Sequence, residues 1–192
     1  MKKLALTLAS GMMLLCGVAH ADVQDNGHDM VIYGKLQTAK SGCTVLMSKY
    51  VINLSHSNKS LKYQGAKINT SFADDKVNIQ LGGQNCDANE GYSRIGLKFL
   101  GTVDSSEGTT LANTDTSSAA AQGVGIQLED MFGQIIKPNV TIARFPSAYS
   151  SNGAPTDIAA MFPLYLSLVQ LKGQETTPGN ILTNMTVQIE RL

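Results

Sequence analysis

Short stretches in which apolar and polar residues strictly alternate recur along the whole chain, and this period of two constrains the fold more than any other feature. Cys43, Val45 and Met47 alternate in "CTVLMSK", Val77, Ile79 and Leu81 in "VNIQL", and Ile95, Leu97 and Phe99 in "IGLKFLG". The pattern continues with Val124, Ile126 and Leu128 in "VGIQLED", Leu164, Leu166 and Leu168 in "PLYLSLV", and Met185, Val187 and Ile189 in "LTNMTVQIERL". Successive side chains of a β-strand point to opposite faces, so each stretch reads as a strand with one buried face. Turn-forming clusters separate them: "GGQN" at 82–85, "DSSEG" at 104–108, "SSNGAP" at 150–155 and "TTPGN" at 176–180. Together they predict an all-β chain folded as an antiparallel β-sandwich. Helical signals are weak. "TDIAAMF" is predicted to make one turn that Pro163 ends, and "SSAAAQG" is too short to stand alone. The Ser/Thr/Ala-rich segment 104–123 carries one large apolar residue, Leu111, and is predicted to be a long surface connection.

The opening "MKKLALTLASGMMLLCGVAHA" has two lysines, an apolar run from Leu4 to Val18, and small residues at Ala19 and Ala21. This is the pattern of a secretory signal, which places residues 1–21 as a signal peptide and the mature start near Asp22. Export removes Lys2 and Lys3 and leaves 13 basic against 15 acidic residues, a net charge of −2. Such a balance does not call for nucleic acid or an anionic membrane, and no later stretch reaches the roughly 18 apolar residues of a spanning helix. Export also removes Cys16, so Cys43 and Cys86 are expected to pair in an oxidising compartment. Closing a loop of that length contributes about 4 kcal/mol in the chain-entropy model.

Chemistry-bearing constellations are scarce, and the chain does not read as an enzyme. The mature chain holds His28 and His56 and no "GxSxG", so a nucleophile with its base lacks support. His56, in "LSHSNKS", reads as a solvated loop residue. The adjacent pairs Asp74-Asp75 and Glu129-Asp130 read as turn and surface groups. "GGQN" precedes no helix and therefore lacks the geometry of a phosphate cradle. No metal or cofactor is expected. With no Trp and dispersed tyrosines, a sugar-binding face is not evident.

In this order and spacing, the segments "IYGKLQTAKSGCTV", "VNIQLGGQNCD", "IGLKFLGT", "GVGIQLEDMFGQII" and "FPLYLSLVQLKGQETTPGNILTNMTVQIERL" resemble the type 1-like fimbrial pilins of the chaperone-usher pathway. Gly179, fourteenth from the C-terminus, matches a glycine of that family. The resemblance implies an incomplete immunoglobulin-like β-sandwich lacking its final strand and completed by donor-strand complementation, a known form of β-strand addition. It implies a pilin domain over 34–192 and an N-terminal extension over 22–33 that donates a strand, with Val23, Gly27, Met30, Val31 and Ile32 as its contact residues. Met185, Val187, Ile189, Arg191 and Leu192 would form one wall of the acceptor groove. Arg191 stands where the family usually has an aromatic residue. The implied partners are a periplasmic chaperone, an outer-membrane usher and neighbouring subunits, and the implied destination, through the periplasm, is a cell-surface fimbrium that contributes to adhesion. The departures in the donor segment and at Arg191 suggest a specialised subunit. The alternative is a single-domain adhesin or lectin that binds a host glycan or protein through its loops.

Overall fold

The computed structural model describes residues 43–54, 61–82, 95–145 and 161–192. The expectations for the signal peptide, the extension 22–33, His28, His56 and Cys86 therefore fall outside the described residues. In chain order the strands are β1 (Thr44–Met47), β2 (Lys62–Tyr63), β3 (Asp75–Gly82), β4 (Ile95–Leu100), β5 (Leu111–Ala112), β6 (Val124–Glu129), β7 (Ile135–Ile136), β8 (Ile142–Arg144), β9 (Met161–Gln170) and β10 (Thr186–Arg191). A 3-10 turn, Thr70–Phe72, follows β2. Each of the alternating stretches forms a strand, so the all-β prediction holds.

The strands make two sheets. One is seven-stranded, in the order β1-β3-β9-β6-β5, with β2 beside β9 and β7 beside β6; the other is three-stranded, in the order β10-β4-β8. All pairs are antiparallel except β2 with β9. The inward-pointing residues of the two sheets form one core, in which Phe99 of the narrow sheet meets Phe162 of the wide one at 6.0 Å between ring centroids. Phe145 contacts the same ring edge-on at 5.8 Å. Each such fully buried side chain contributes roughly 1.5–3 kcal/mol.

Residues 156–160 of the expected helical turn fall outside the described residues, while Met161, Phe162 and Pro163 lie inside β9. The backbone shows why the proline is tolerated. Asn78, its partner in β3, directs both its N–H and its carbonyl toward Ser48, away from β9. Pro163 therefore occupies a non-hydrogen-bonded position, and its missing N–H would point to the opposite edge of β9, where pairing with β6 begins only at Tyr165.

Strand β6 is buried on both faces. Its outward side chains hold a loop down as a roof: Gln127 accepts from the Gly65 N–H (2.9 Å) and donates to the Ala66 carbonyl (2.8 Å) and to Glu129 (2.6 Å), while Glu129 accepts from the Ile68 N–H (3.1 Å). Glu129 is thus an internal acceptor, not the surface group its neighbourhood predicts. Asp74 also has a structural role. Its Oδ2 accepts from the Leu168 N–H at 2.6 Å, between the last β3 pairing on β9 and the first β2 pairing.

Segment 104–123 departs most from expectation. It begins at a buried carboxylate, Asp104, and its Thr110 and Leu111 are fully buried. Beyond β5 it is fastened to segment 177–182 by Asn113, whose Nδ2 donates to the carbonyls of Ala121 (2.9 Å) and Asn180 (2.8 Å) and whose Oδ1 accepts from the N–H groups of Asp115 (3.0 Å) and Leu182 (2.9 Å). Main-chain bonds from Ala121 to Asn180 (2.8 Å), Asn180 to Ala119 (2.7 Å) and Thr114 to Leu182 (2.6 Å) complete the clamp. Replacing Asn113 with alanine leaves these groups without their partner and is expected to cost ~2–3 kcal/mol, read as a lower urea midpoint with an unchanged slope. An unaltered midpoint would remove Asn113 from the clamp's energetics.

Candidate functional site

The clamp delivers the chain into β10. Gly179 lies against the 119–121 backbone, where a Cβ would stand 2.4 Å from the Ala119 carbonyl oxygen and from the Ala121 nitrogen, so only glycine permits this approach. At the far end of the same crossing, Gly101 closes β4 against Asn184: a Cβ there would stand 2.8 Å from the Asn184 carbonyl oxygen. The two close approaches fix where β10 starts and hence its register on β4.

That register is complete. Thr186 pairs with Leu100, Val187 with Phe99, Gln188 with Lys98, Ile189 with Leu97, Glu190 with Gly96 and Arg191 with Ile95. Strand β10 is an edge strand: β4 lies on one side, and among the described residues no strand lies on the other. An edge strand presents a row of backbone donors and acceptors to any extended segment that comes alongside.

Burial changes along the inward face. Met185 and Val187 are buried, at 1% and 4% exposure, whereas Ile189 is only partly covered. Leu192, whose parity puts it on the opposite face with Gln188 and Glu190, is exposed at 44%, beside Gly96 on β4. On the opposite face Gln188 donates to Glu190 at 2.9 Å, a lateral pair that keeps this side polar. The inward row therefore begins in the core and is only partly covered at Ile189. Upstream of β10, Thr183 is 1% exposed and its Oγ1 has no hydrogen-bond partner among the described residues. The arrangement is suited to backbone pairing plus apolar insertion; no group of three or more His, Cys, Asp or Glu that could hold a metal ion gathers among the described residues.

The structure thus brings Met185, Val187 and Ile189 onto one face of one edge strand, with Arg191 at its last pairing and Leu192 just beyond. Cys43 is buried at the start of β1 and is disulfide-bonded, while Cys86 falls outside the described residues. Val23, Gly27, Met30, Val31 and Ile32 lie outside them too. Gly179 belongs to the clamp that positions the strand, not to the edge itself. Sequence reasoning missed Asn113 and Asp104; the one available signal was "DSSEGTT", an aspartate followed by a run of small polar residues that suits a side-chain-capped loop.

A family model described as Fimbrial protein matches residues 30–190. Among solved structures, the chain is similar to the P pilus rod subunit PapA, at 13% identity and a TM-score of 0.46, over 77% of this chain and 92% of that one. It is also similar to a Burkholderia pseudomallei antigen and type I fimbria protein, at 16% identity and a TM-score of 0.31, over 84% of this chain and 88% of that one. Comparison with curated protein sequences returns no match.

Proposed function

The chain belongs to the fimbrial protein family, and from that premise we propose that it polymerises by donor-strand exchange, with the outer edge of β10 as its acceptor. The observation that carries this reading is an edge strand with full register on one side and none among the described residues on the other, at the margin of the narrower sheet. Partial cover of Ile189 supports it, since Ile189 lies on the row an added strand would flank.

The physical logic is that of β-strand addition. An entering strand satisfies the edge groups of β10 and places alternate side chains over the core. Burying about four of them at roughly 1.5–3 kcal/mol each gains on the order of 10 kcal/mol before ordering costs. In the cell a periplasmic chaperone first supplies that strand, and at the outer-membrane usher residues 22–33 of the next subunit replace it. A signal peptide over 1–21 and a disulfide between Cys43 and Cys86 fit this route, as does a role in adhesion through the assembled fibre. The subunit has no enzymatic role.

Periplasmic expression with and without the cognate chaperone tests the proposal. With it, a soluble one-to-one complex is expected; without it, the chain should aggregate or be degraded. A stable, soluble monomer made alone would contradict a missing strand. Deleting residues 22–32 is expected to leave the chaperone complex intact while preventing the subunit from joining a fibre as donor. A deleted chain that still donates would assign the donor strand elsewhere.

A further inference from the structure

The face of the seven-stranded sheet turned away from the core carries a second feature, on a different sheet from the β10 edge. Ser167 of β9 lies directly opposite Gln127 of β6 in an antiparallel pair, so the two share a face. Gln127 uses that face to hold down the 64–68 loop. Beside it, between β9 and the roof formed by residues 62–74, is a cavity of about 500 Å³. This volume matches pockets that enclose small organic ligands.

The lining is chemically mixed. Ile68 is an apolar part of it, and Lys62 and Lys67 are exposed lysines with no ion pair among the described residues. Ser167 is only 5% exposed and makes no hydrogen bond through its hydroxyl among the described residues. A hydroxyl on the cavity wall is available to a ligand. Asp74 also lines the cavity, its carboxylate accepting from the Leu168 N–H, so the two ammonium groups outnumber the one carboxylate and leave the lining net positive by one. Phe72, on the 3-10 turn, lines the cavity while leaving 78% of its surface in solvent. The exposed phenyl ring offers a flat apolar surface at the rim of the cavity.

We infer that this cavity binds a monosaccharide-sized acidic sugar, a hexuronate. Its carboxylate pairs with Lys62 and Lys67, its hydroxyls with Ser167, and the C–H face of its ring lies on Phe72. An inorganic anion would use the lysines alone; a neutral sugar would use the ring and the hydroxyl alone. Only a ligand with both parts uses the whole lining. The site lies away from the β10 edge, so it stands or falls independently of the assembly reading.

The test is saturation-transfer NMR and titration calorimetry on the full chain as isolated from cells, in whatever assembly it is purified, with glucuronate, glucose and inorganic phosphate as probes. Glucuronate is expected to bind more tightly than either of the others. The Lys62→Ala/Lys67→Ala double variant, which alters two exposed side chains, should weaken glucuronate binding by about tenfold. Phe72→Ala should weaken glucuronate several-fold and leave any phosphate binding unchanged, and Ser167→Ala should weaken glucuronate with the circular dichroism spectrum preserved. Phosphate binding as tight as glucuronate, or glucuronate binding unchanged in the double variant and in Phe72→Ala, would overturn the proposal.

Discussion

Replacing Asp104 with alanine is expected to cost ~3–5 kcal/mol of folding stability, enough to lower the urea midpoint sharply or to prevent accumulation altogether. The residue is 4% exposed and organises the whole turn that follows it. Its Oδ1 accepts from the N–H groups of Ser106 (2.9 Å), Glu107 (2.8 Å) and Gly108 (3.2 Å). Its Oδ2 accepts from the N–H groups of Thr109 (3.0 Å) and Thr110 (2.9 Å), from the Thr110 hydroxyl (3.0 Å) and from Gln64 Nε2 (3.0 Å). Alanine removes the acceptor from all of these donors at once, several of them out of reach of water. Burial alone would raise the pKa of this carboxyl, but the bonds from the Glu107 and Thr110 N–H groups, Gln64 and the Thr110 hydroxyl outweigh it and lower the pKa from 3.8 to about 2. The folded value lies below the unfolded one, so the charge stabilises the fold above about pH 4. That contribution is lost as pH falls from about 4 to about 2. After allowance for solvent screening it amounts to ~1–2 kcal/mol. Asp104→Asn should abolish this part of the acid dependence, and urea titrations at pH 7 and across pH 4 to 2 would show it. Parallel pH profiles for the two proteins would mean that the carboxylate charge does not hold the turn.

The second large effect is expected at Gly123. Its φ is +65°, and a Cβ there would stand 2.1 Å from the Glu175 carbonyl oxygen and 2.8 Å from its carbon. Neither backbone is free to yield. The Gly123 carbonyl accepts from the Leu171 N–H (2.9 Å), and the neighbouring Gln122 exchanges bonds with Thr177 (3.0 and 3.2 Å). Gly123→Ala is therefore expected to cost at least ~3 kcal/mol. Gly65 supplies the control: its φ is +83°, yet nothing lies within 4 Å of the Cβ position, so Gly65→Ala should cost only the ~1 kcal/mol of a left-handed alanine. Thermal unfolding of the two variants would separate the clash from the dihedral. Equal losses would mean that the 123–175 contact relaxes. Because segment 171–185 leads into β10, the Gly123 variant should also join fibres less efficiently than the Gly65 variant.

These two residues mark the limit of what sequence alone made legible. The strands with four or more alternating residues were readable because a buried face imposes its own period, and Val77, Ile79, Phe99, Ile126 and Leu164 lie inside as the pattern requires. Strands β2, β5, β7 and β8 were not readable, since two or three residues carry no period. Segment 104–123 looked solvated because it is made of serine, threonine and alanine, yet small polar residues are also what a chain needs to cross another backbone closely and bond to it. Pro163 looked like a stop because its harm depends on which way its missing N–H would point, a property of the neighbouring strand. For the proposed acceptor edge, the alternation of Met185, Val187 and Ile189 was visible, whereas the clamp that sets their register is formed by residues distant in sequence, among them Asn113 and Gly101.

The pairing of β10 with β4 has a mechanical consequence. A pull along the axis of β10 does not open its register one rung at a time. It shears the six pairings from Thr186 to Arg191 together, so the load is shared and failure requires them to break nearly at once. A pull across the strand would peel the same pairings singly, at far lower force. The strand is strong in the direction of its own length, the direction in which a fibre under flow would be stretched if its subunits were joined strand to strand.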